Sequence, residues 1–272
     1  MGYLGDGDME RSKAYDLAIK ETINPSSDLL EEEDGVYFND KYRKSLLQEI
    51  LKKGFNNEFR NEYNKYYDKE NKKKCKMCSI ASSSRLCFLK FKDIQGIAFE
   101  KIIDNKNVCK PHLDAFDKNT NTYYECKCHE IVATLSVELS PKYAPLLREI
   151  FSLTKDQLNK KGKIELDYKD FGINFPLKCG KYFDFKQFIC HIIGLITLPD
   201  GPKPTLQYVF FKPDEKYMNE PTLKRWNNEF LQVETKLFEL LRNIIVYKNG
   251  KKELLKDIVN LPDPLIICVS KV

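Results

Sequence analysis

The stretch from residue 111 to residue 129 constrains the fold most, because its pattern predicts a β-hairpin in the middle of the chain. Two runs of β-favouring residues flank the turn-forming sequence Asp-Lys-Asn-Thr-Asn-Thr. If the turn is symmetric about Asn119 and Thr120, opposed residues have numbers that sum to 239. We therefore predict that Asp114 lies directly across from Glu125.

Side chains alternate along each strand, so the two faces of this hairpin differ in chemistry. The polar face is expected to present His112, Asp114, Glu125, Lys127 and His129. The opposite face is expected to pack into the core through Leu113, Ala115, Tyr124, Cys126 and Cys128.

Two opposed carboxylates repel each other across a sheet, so we expect a cation near the polar face to offset this repulsion. The carboxylate oxygens of Asp114 and Glu125 suit Mg²⁺, which keeps several waters and takes further ligands from phosphate. Lys127 follows Glu125 by two residues on the same face, where its amine could orient a water and offset growing phosphate charge. The polar face therefore predicts metal-assisted phosphodiester hydrolysis.

These residues also carry a family resemblance. Pro111 and Asp114, then ten residues, then Glu125-Cys126-Lys127 resemble the PD-(D/E)xK motif of restriction-endonuclease-like nucleases. The proline stands three residues before the aspartate rather than immediately before it. Further on, the segments 185–194 and 206–213 are similar to the helix and strand that follow the motif in a bacterial group of restriction endonucleases. The resemblance covers roughly residues 79–213.

Gln187 and His191 are four residues apart and share one helix face. They resemble the glutamine motif of some nucleases in this superfamily, with His191 where others carry tyrosine. The resemblance implies that both residues support contacts to phosphate. The alternative for His191 is a hydrogen-bonded core histidine, which is the commoner role in so apolar a helix.

The resemblance implies an α/β fold with a restriction-endonuclease-like core, in which helices flank a mixed central β-sheet. It implies a Mg²⁺-dependent endodeoxyribonuclease of a restriction or defence system, with Mn²⁺ as a substitute ion. Asp114 and Glu125 would bind the metal, and Lys127 would activate the water. The alternatives are an inactive nucleic-acid-binding module that retains this fold, and a scaffold protein in which the three charges are ordinary surface residues.

Five further residues are secondary candidates. Glu100, in a predicted strand at 97–103, is a candidate third carboxylate or a solvent-facing glutamate. His112 and His129 either touch metal-bound water or phosphate, or simply occupy the polar strand face. Ser84 and Arg85 either lie near the cleft and bind DNA, or are a helix cap and a surface arginine.

The composition is that of a globular protein, since 272 residues with 42% hydrophobic content can fill a substantial core. The net charge of +5, with lysines in clusters, permits a polyanionic partner such as DNA. No stretch approaches the roughly 20 apolar residues of a membrane span, and the acidic start is unlike a signal peptide. We therefore expect a cytoplasmic protein. A homodimer and a methyltransferase encoded nearby are the partners that the resemblance suggests.

Nine cysteines without an export signal favour reduced thiols over disulfides. The spacing of Cys75 and Cys78 suits zinc or an iron-sulfur cluster. No second C-x-x-C follows, so a structural metal is not expected.

Two regions are predicted from these patterns. Residues 1–76 form a helical N-terminal extension with a charged linker, and residues 77–272 form the nuclease core with a C-terminal helix. Periodicity and turn signals predict helices at 9–22 and 220–246, and a last strand at 264–269. One or two helices, interrupted near Gly54, are predicted within 40–67. Asp184 is predicted to cap the helix 185–196, and 206–211 is predicted to be a buried strand.

Overall fold

The computed structural model describes residues 6–30, 37–55, 57–59, 75–103, 110–128, 137–154, 158–175 and 183–270. His129 and most of the predicted charged linker lie outside these ranges. Within them, no helix is both long enough and apolar enough to cross a membrane.

The main helices are labelled in chain order. They are α1 (Asp6–Ile23), α2 (Asp40–Lys52), α3 (Ser83–Phe91), α4 (Ala144–Phe151), α5 (Phe185–Ile196), α6 (220–242) and α7 (Leu255–Ile258). Polar caps start four of them, because the side chains of Asn39, Ser82, Asp184 and Asn219 accept backbone N–H groups of the first helical turn. The predicted cap at Asp184 is confirmed.

The strands are β1 (Ile97–Ile102), β2 (His112–Asp117), β3 (Thr122–Lys127), β4 (Glu138–Leu139), β5 (Ile164–Glu165), β6 (Thr205–Phe211), β7 (Ile245–Lys248), β8 (Lys251–Leu254) and β9 (Ile266–Val269). Five of them form a central sheet in the order β1-β2-β3-β6-β9. The first three are an antiparallel meander, whereas β3, β6 and β9 run parallel. The chain is therefore α/β with a mixed central sheet.

The hairpin β2-β3 has the predicted register. Ala115 pairs with Tyr124, Phe116 with Tyr123 and Asp117 with Thr122. The residue numbers of each pair sum to 239, as predicted. On the predicted core face Leu113, Ala115, Cys126 and Cys128 are buried, and Tyr124 is half-buried. The turn and the alternation of side chains thus set this hairpin locally.

Helices cover the sheet on both faces. On the Cys126 face lies α3, where Phe91 contacts Tyr124 with ring centroids 4.4 Å apart. On the opposite face lies α5, which reaches Glu125 and Lys127. Because both faces are covered, β6 is buried over nearly its whole length, as its apolar sequence predicts.

The N-terminal helix α1 packs on the same sheet. The buried Tyr15 hydroxyl donates to the carbonyl oxygen of Phe211 at 3.1 Å, at the end of β6. The Thr22 hydroxyl accepts the backbone N–H of Asp214 at 2.8 Å. The N-terminal extension is therefore tied to the core through α1.

The predicted helix 220–246 is too long at its C-terminal end. The helix α6 ends at Arg242, and β7 follows it and pairs with β8. Asn249 and Gly250 turn this hairpin with φ angles of +52° and +75°. Two successive positive φ angles define the tight turn that joins antiparallel strands, so Ile245 and Val246 become strand residues.

Candidate active site

The carboxylate of Glu125 is the centre of a closed set of polar contacts. Its side chain is buried at 4% exposure, and its Oε1 lies 2.8 Å from Lys127 Nζ. The same Oε1 accepts a hydrogen bond from Gln187 Nε2 at 2.6 Å. Lys127 Nζ in turn donates to Gln187 Oε1. The carboxylate, the ammonium and the amide therefore fix one another's orientation.

Two elements bring these side chains together. Glu125 and Lys127 are two residues apart on β3 and share a face. Gln187 is in the first turn of α5, where its backbone N–H is bound by the capping Asp184 carboxylate at 2.9 Å. The cap starts the helix at the position from which Gln187 reaches the strand.

His191 lies one turn further along α5 and is buried at 1% exposure. Its Nε2 is 3.1 Å from the carbonyl oxygen of His112 and 3.6 Å from Glu125 Oε2. Its Nδ1 is 3.3 Å from the hydroxyl of Tyr208. Burial, together with the charge of Lys127, lowers the pKa of His191 to about 3, so the ring is neutral.

This environment bears on the predicted role of His191. A side chain buried under the helix and bonded at both nitrogens does not face a phosphate. The geometry favours the alternative of a hydrogen-bonded core histidine. His191 nevertheless contacts Glu125 and so belongs to the surroundings of the carboxylate.

Asp114 lies beside this set on β2. Its Oδ2 accepts the backbone N–H of Cys126 at 2.7 Å, just beyond the last ladder pair Ala115–Tyr124. Burial and the charge of Glu125 raise the pKa of Asp114 to about 8, although Lys127 and the Cys126 N–H oppose this. The charge of Glu125 thus disfavours the ionised form of Asp114, in the direction that the sequence predicts.

The carboxylate oxygens of Asp114 and Glu125 are the candidate ligands for a metal ion. Among the described residues, no three His, Cys, Asp or Glu side chains converge to hold an ion. Asp114 and Glu125 nonetheless offer two hard oxygen donors whose repulsion Lys127 offsets only in part. Two carboxylates are enough for Mg²⁺, which keeps water in its remaining positions. In donor type the pair therefore suits that ion.

Glu100 lies on β1, the strand that pairs with the Asp114 strand β2. It lies between the pairs Phe99–Ala115 and Lys101–Leu113, where the regular pairing of the ladder is interrupted. Its φ angle is +48°, an uncommon conformation for a non-glycine residue within a strand. Glu100, Asp114 and Glu125 thus lie on three neighbouring strands, and in the described part of the chain they do not form a three-ligand cluster.

Ser84 and Arg85 lie on α3, on the other side of the sheet from Glu125. Each is buried at 3% exposure. The Arg85 guanidinium donates to the carbonyl oxygen of Ile80 at 2.5 Å and lies 4.4 Å from the centroid of the Phe38 ring. The structure does not bring either side chain to the candidate site or to the surface, so their burial speaks against direct contact with DNA.

Comparison with known proteins provides no relative for this chain. No protein-family model, no curated protein and no solved structure matches it.

The remaining predicted residues have simpler positions. The side chain of His112 is exposed, and its carbonyl oxygen is the group that reaches His191. His129 lies outside the described residues. Cys75 and Cys78 are buried thiols, and within the described ranges no third ligand-type side chain completes a metal cluster with them.

Sequence reasoning missed Tyr208. It lies in β6, whose apolar run predicts only a core strand, yet its hydroxyl binds His191. A tyrosine in a strand buried on both faces needs a partner for its hydroxyl, which is the signal that could have singled it out.

Gly194 lets α5 approach β2. A Cβ atom at this position would lie 2.6 Å from Pro111 Cγ and 3.4 Å from Ile103 Cδ1. Because the proline ring is rigid, a larger residue would push the helix away from the strand. Gly194 follows His191 by three residues, so the close approach also allows His191 to reach the carbonyl oxygen of His112.

We expect Gly194→Ala to lower the free energy of unfolding by about 1–3 kcal/mol, the usual cost of overpacking, despite the better helix propensity of alanine. Urea denaturation measures the change. Gly201→Ala is the matched control, because a Cβ there meets only an ordinary contact at 3.8 Å. Equal stability of the two variants would show that the Gly194 contact does not limit the approach of the helix.

Proposed function

We propose that the chain is a Mg²⁺-dependent endodeoxyribonuclease on a restriction-endonuclease-like core. The observation that carries the proposal is the contact set of Glu125, Lys127 and Gln187, with Asp114 on the neighbouring strand. It brings together two hard-oxygen donors, a cation and an amide on one sheet face. These are the groups that phosphodiester hydrolysis needs for metal binding, water orientation and charge stabilisation.

The order of elements supports the proposal. The helix α3, the antiparallel meander β1-β2-β3, the helix α5 and the parallel strand β6 occur in this order along the chain, with β4, α4 and β5 between β3 and α5. The resemblance implies a helix and a strand after the motif, and α5 and β6 occupy those positions. The restriction-endonuclease-like assignment itself is part of the proposal, as are a homodimer, a cognate methyltransferase and a defence role.

In this proposal Asp114 and Glu125 would hold Mg²⁺, which when bound would supply positive charge for a phosphoryl oxygen. Lys127 orients the attacking water and donates a hydrogen bond to the oxygen on which charge develops. Gln187 holds the Lys127 ammonium and the Glu125 carboxylate in fixed relation through its two amide atoms. Asp114 also binds the Cys126 N–H, which fixes its carboxylate against β3.

Incubation of the purified chain with supercoiled plasmid DNA, over a titration of Mg²⁺ and in EDTA, tests the function. We expect nicked and linear DNA to form only with Mg²⁺, or with Mn²⁺ in its place. No cleavage at any concentration of either ion would contradict the proposal.

A second candidate is a nucleic-acid-binding module without activity. The failure of three ligand-type side chains to converge in the described ranges favours it, as does the net charge of +5. A mobility-shift assay on the same plasmid distinguishes the two candidates. The second predicts DNA binding with no cleavage in Mg²⁺.

A further inference from the structure

The hydroxyl of Tyr208 is a buried polar group beside the candidate site that the proposed mechanism does not use. Tyr208 lies on β6, pairs with Glu125 of β3 in the parallel ladder, and is buried at 1% exposure. Its hydroxyl is 3.3 Å from Nδ1 of His191. A chain of contacts thus runs from β6 through α5 to the carboxylate of Glu125.

The partners of His191 determine where its proton lies. Nε2 faces the carbonyl oxygen of His112 at 3.1 Å, and a carbonyl oxygen can only accept a hydrogen bond. Nε2 must therefore carry the hydrogen. A neutral imidazole has one N–H, so Nδ1 accepts the O–H of Tyr208.

The same N–H also faces Glu125. Its Oε2 is 3.6 Å from Nε2, while the other oxygen is bound by Lys127 and Gln187. In the other tautomer, the Nε2 lone pair would face two oxygens, one from His112 and one from Glu125. That arrangement is repulsive, so the tautomer that Tyr208 supports is the one that suits Glu125.

We propose that Tyr208 is a positioning residue for Glu125 and acts through the tautomer of His191. The catalytic consequence rests on the proposed function, whereas the tautomer does not. Loss of a group that orients a metal ligand typically weakens metal affinity or activity about 10–100-fold.

Tyr208→Phe removes the hydroxyl and keeps the ring. Tyr15→Phe is the matched control, because it removes another buried tyrosine hydrogen bond, from α1 to the end of the same strand β6. Both variants lose a buried tyrosine hydroxyl and keep the ring, so their losses of stability should be similar. Only Tyr208→Phe changes the surroundings of His191.

Nitrogen-15 spectra of histidine-labelled protein test the tautomer directly, since the chain has three histidines. His112→Gln and His129→Gln each remove one set of signals, and the set that remains in both belongs to His191. We expect the wild type to show a protonated Nε2 and a hydrogen-bonded Nδ1. In Tyr208→Phe the Nδ1 chemical shift should change to that of a nitrogen that accepts no hydrogen bond. Tyr15→Phe should leave the Nδ1 chemical shift unchanged.

The affinity for Mn²⁺ and the kcat of DNA cleavage provide the functional measurement. Both should fall about 10–100-fold in Tyr208→Phe and stay at the wild-type level in Tyr15→Phe. A protonated Nδ1 in the wild type, an unchanged Nδ1 signal in Tyr208→Phe, or equal functional losses in both variants would overturn the inference. If the wild type cleaves no DNA, the proposed function fails, and the nitrogen signals and Mn²⁺ affinity still decide the role of Tyr208.

Discussion

Lys127→Met is expected to abolish DNA cleavage, with the rate in Mg²⁺ falling at least about a hundredfold, as for the loss of a preorganised donor in other enzymes. The ammonium contacts both Glu125 and Gln187 and so lies at the proposed reaction centre. Methionine retains most of the side-chain volume but has neither the charge nor the hydrogen-bond donors. Binding of DNA should persist, because many other lysines contribute to the net charge.

Single-turnover cleavage of plasmid DNA measures this effect, and a mobility shift measures binding. Lys118→Met is the control, since Lys118 is an exposed lysine in the turn of the same hairpin. It should cleave at the wild-type rate. If Lys127→Met also cleaves at that rate, Lys127 has no role in the chemistry.

Asp114→Asn is expected to stabilise the protein in the absence of metal, and increasingly so as the pH rises. The folded chain holds the pKa of Asp114 at about 8, above its ordinary value near 4, because of burial and the charge of Glu125. Between these values the folded state keeps a proton that the unfolded chain has lost. The contribution of Asp114 to stability is therefore complete below about pH 4 and is lost as the pH rises towards about 8.

A difference of one in pKa between the folded and unfolded chain corresponds to about 1.4 kcal/mol. The gain of Asp114→Asn over the wild type should thus exceed about 1 kcal/mol near pH 8 and shrink towards pH 5. The asparagine oxygen can still accept the Cys126 N–H. Denaturation in EDTA across this pH range measures the difference, with the exposed Asp200→Asn as the control.

Mg²⁺ should reverse the order of stability. A bound cation favours the ionised carboxylate of Asp114, so the wild type should be stabilised near pH 8 and the asparagine variant should not. A gain from Asp114→Asn that is the same at every pH would contradict the raised pKa.

The elements that the sequence predicts well are those set by local chemistry. Alternation and the central turn give the register of the hairpin, and Asp184 marks the start of α5. The predicted end of α6 is wrong because the helical spacing of apolar residues continues through Ile245 and Val246. The turn at Asn249 and Gly250 overrides it by pairing those residues with β8.

In the candidate site, local sequence patterns predict contacts between near neighbours in the chain but not contacts between distant residues. Glu125 and Lys127 are neighbours on a strand, so their shared face follows from alternation. Gln187 meets them from about sixty residues away, which the family resemblance suggested but periodicity could not. Burial of Arg85 against Phe38 depends on which face of α3 packs inward. The serines at the start of α3 do not determine that face.

Titration with Mn²⁺, followed by electron paramagnetic resonance of the free ion, tests most directly whether Asp114 and Glu125 form a metal site. The wild type should remove the ion from solution at one site. Asp114→Asn and Glu125→Gln should each weaken that binding at least about tenfold, and Lys118→Met should leave it unchanged. A wild type that binds no Mn²⁺, or carboxylate variants that bind it as tightly as the wild type, would contradict the proposed site.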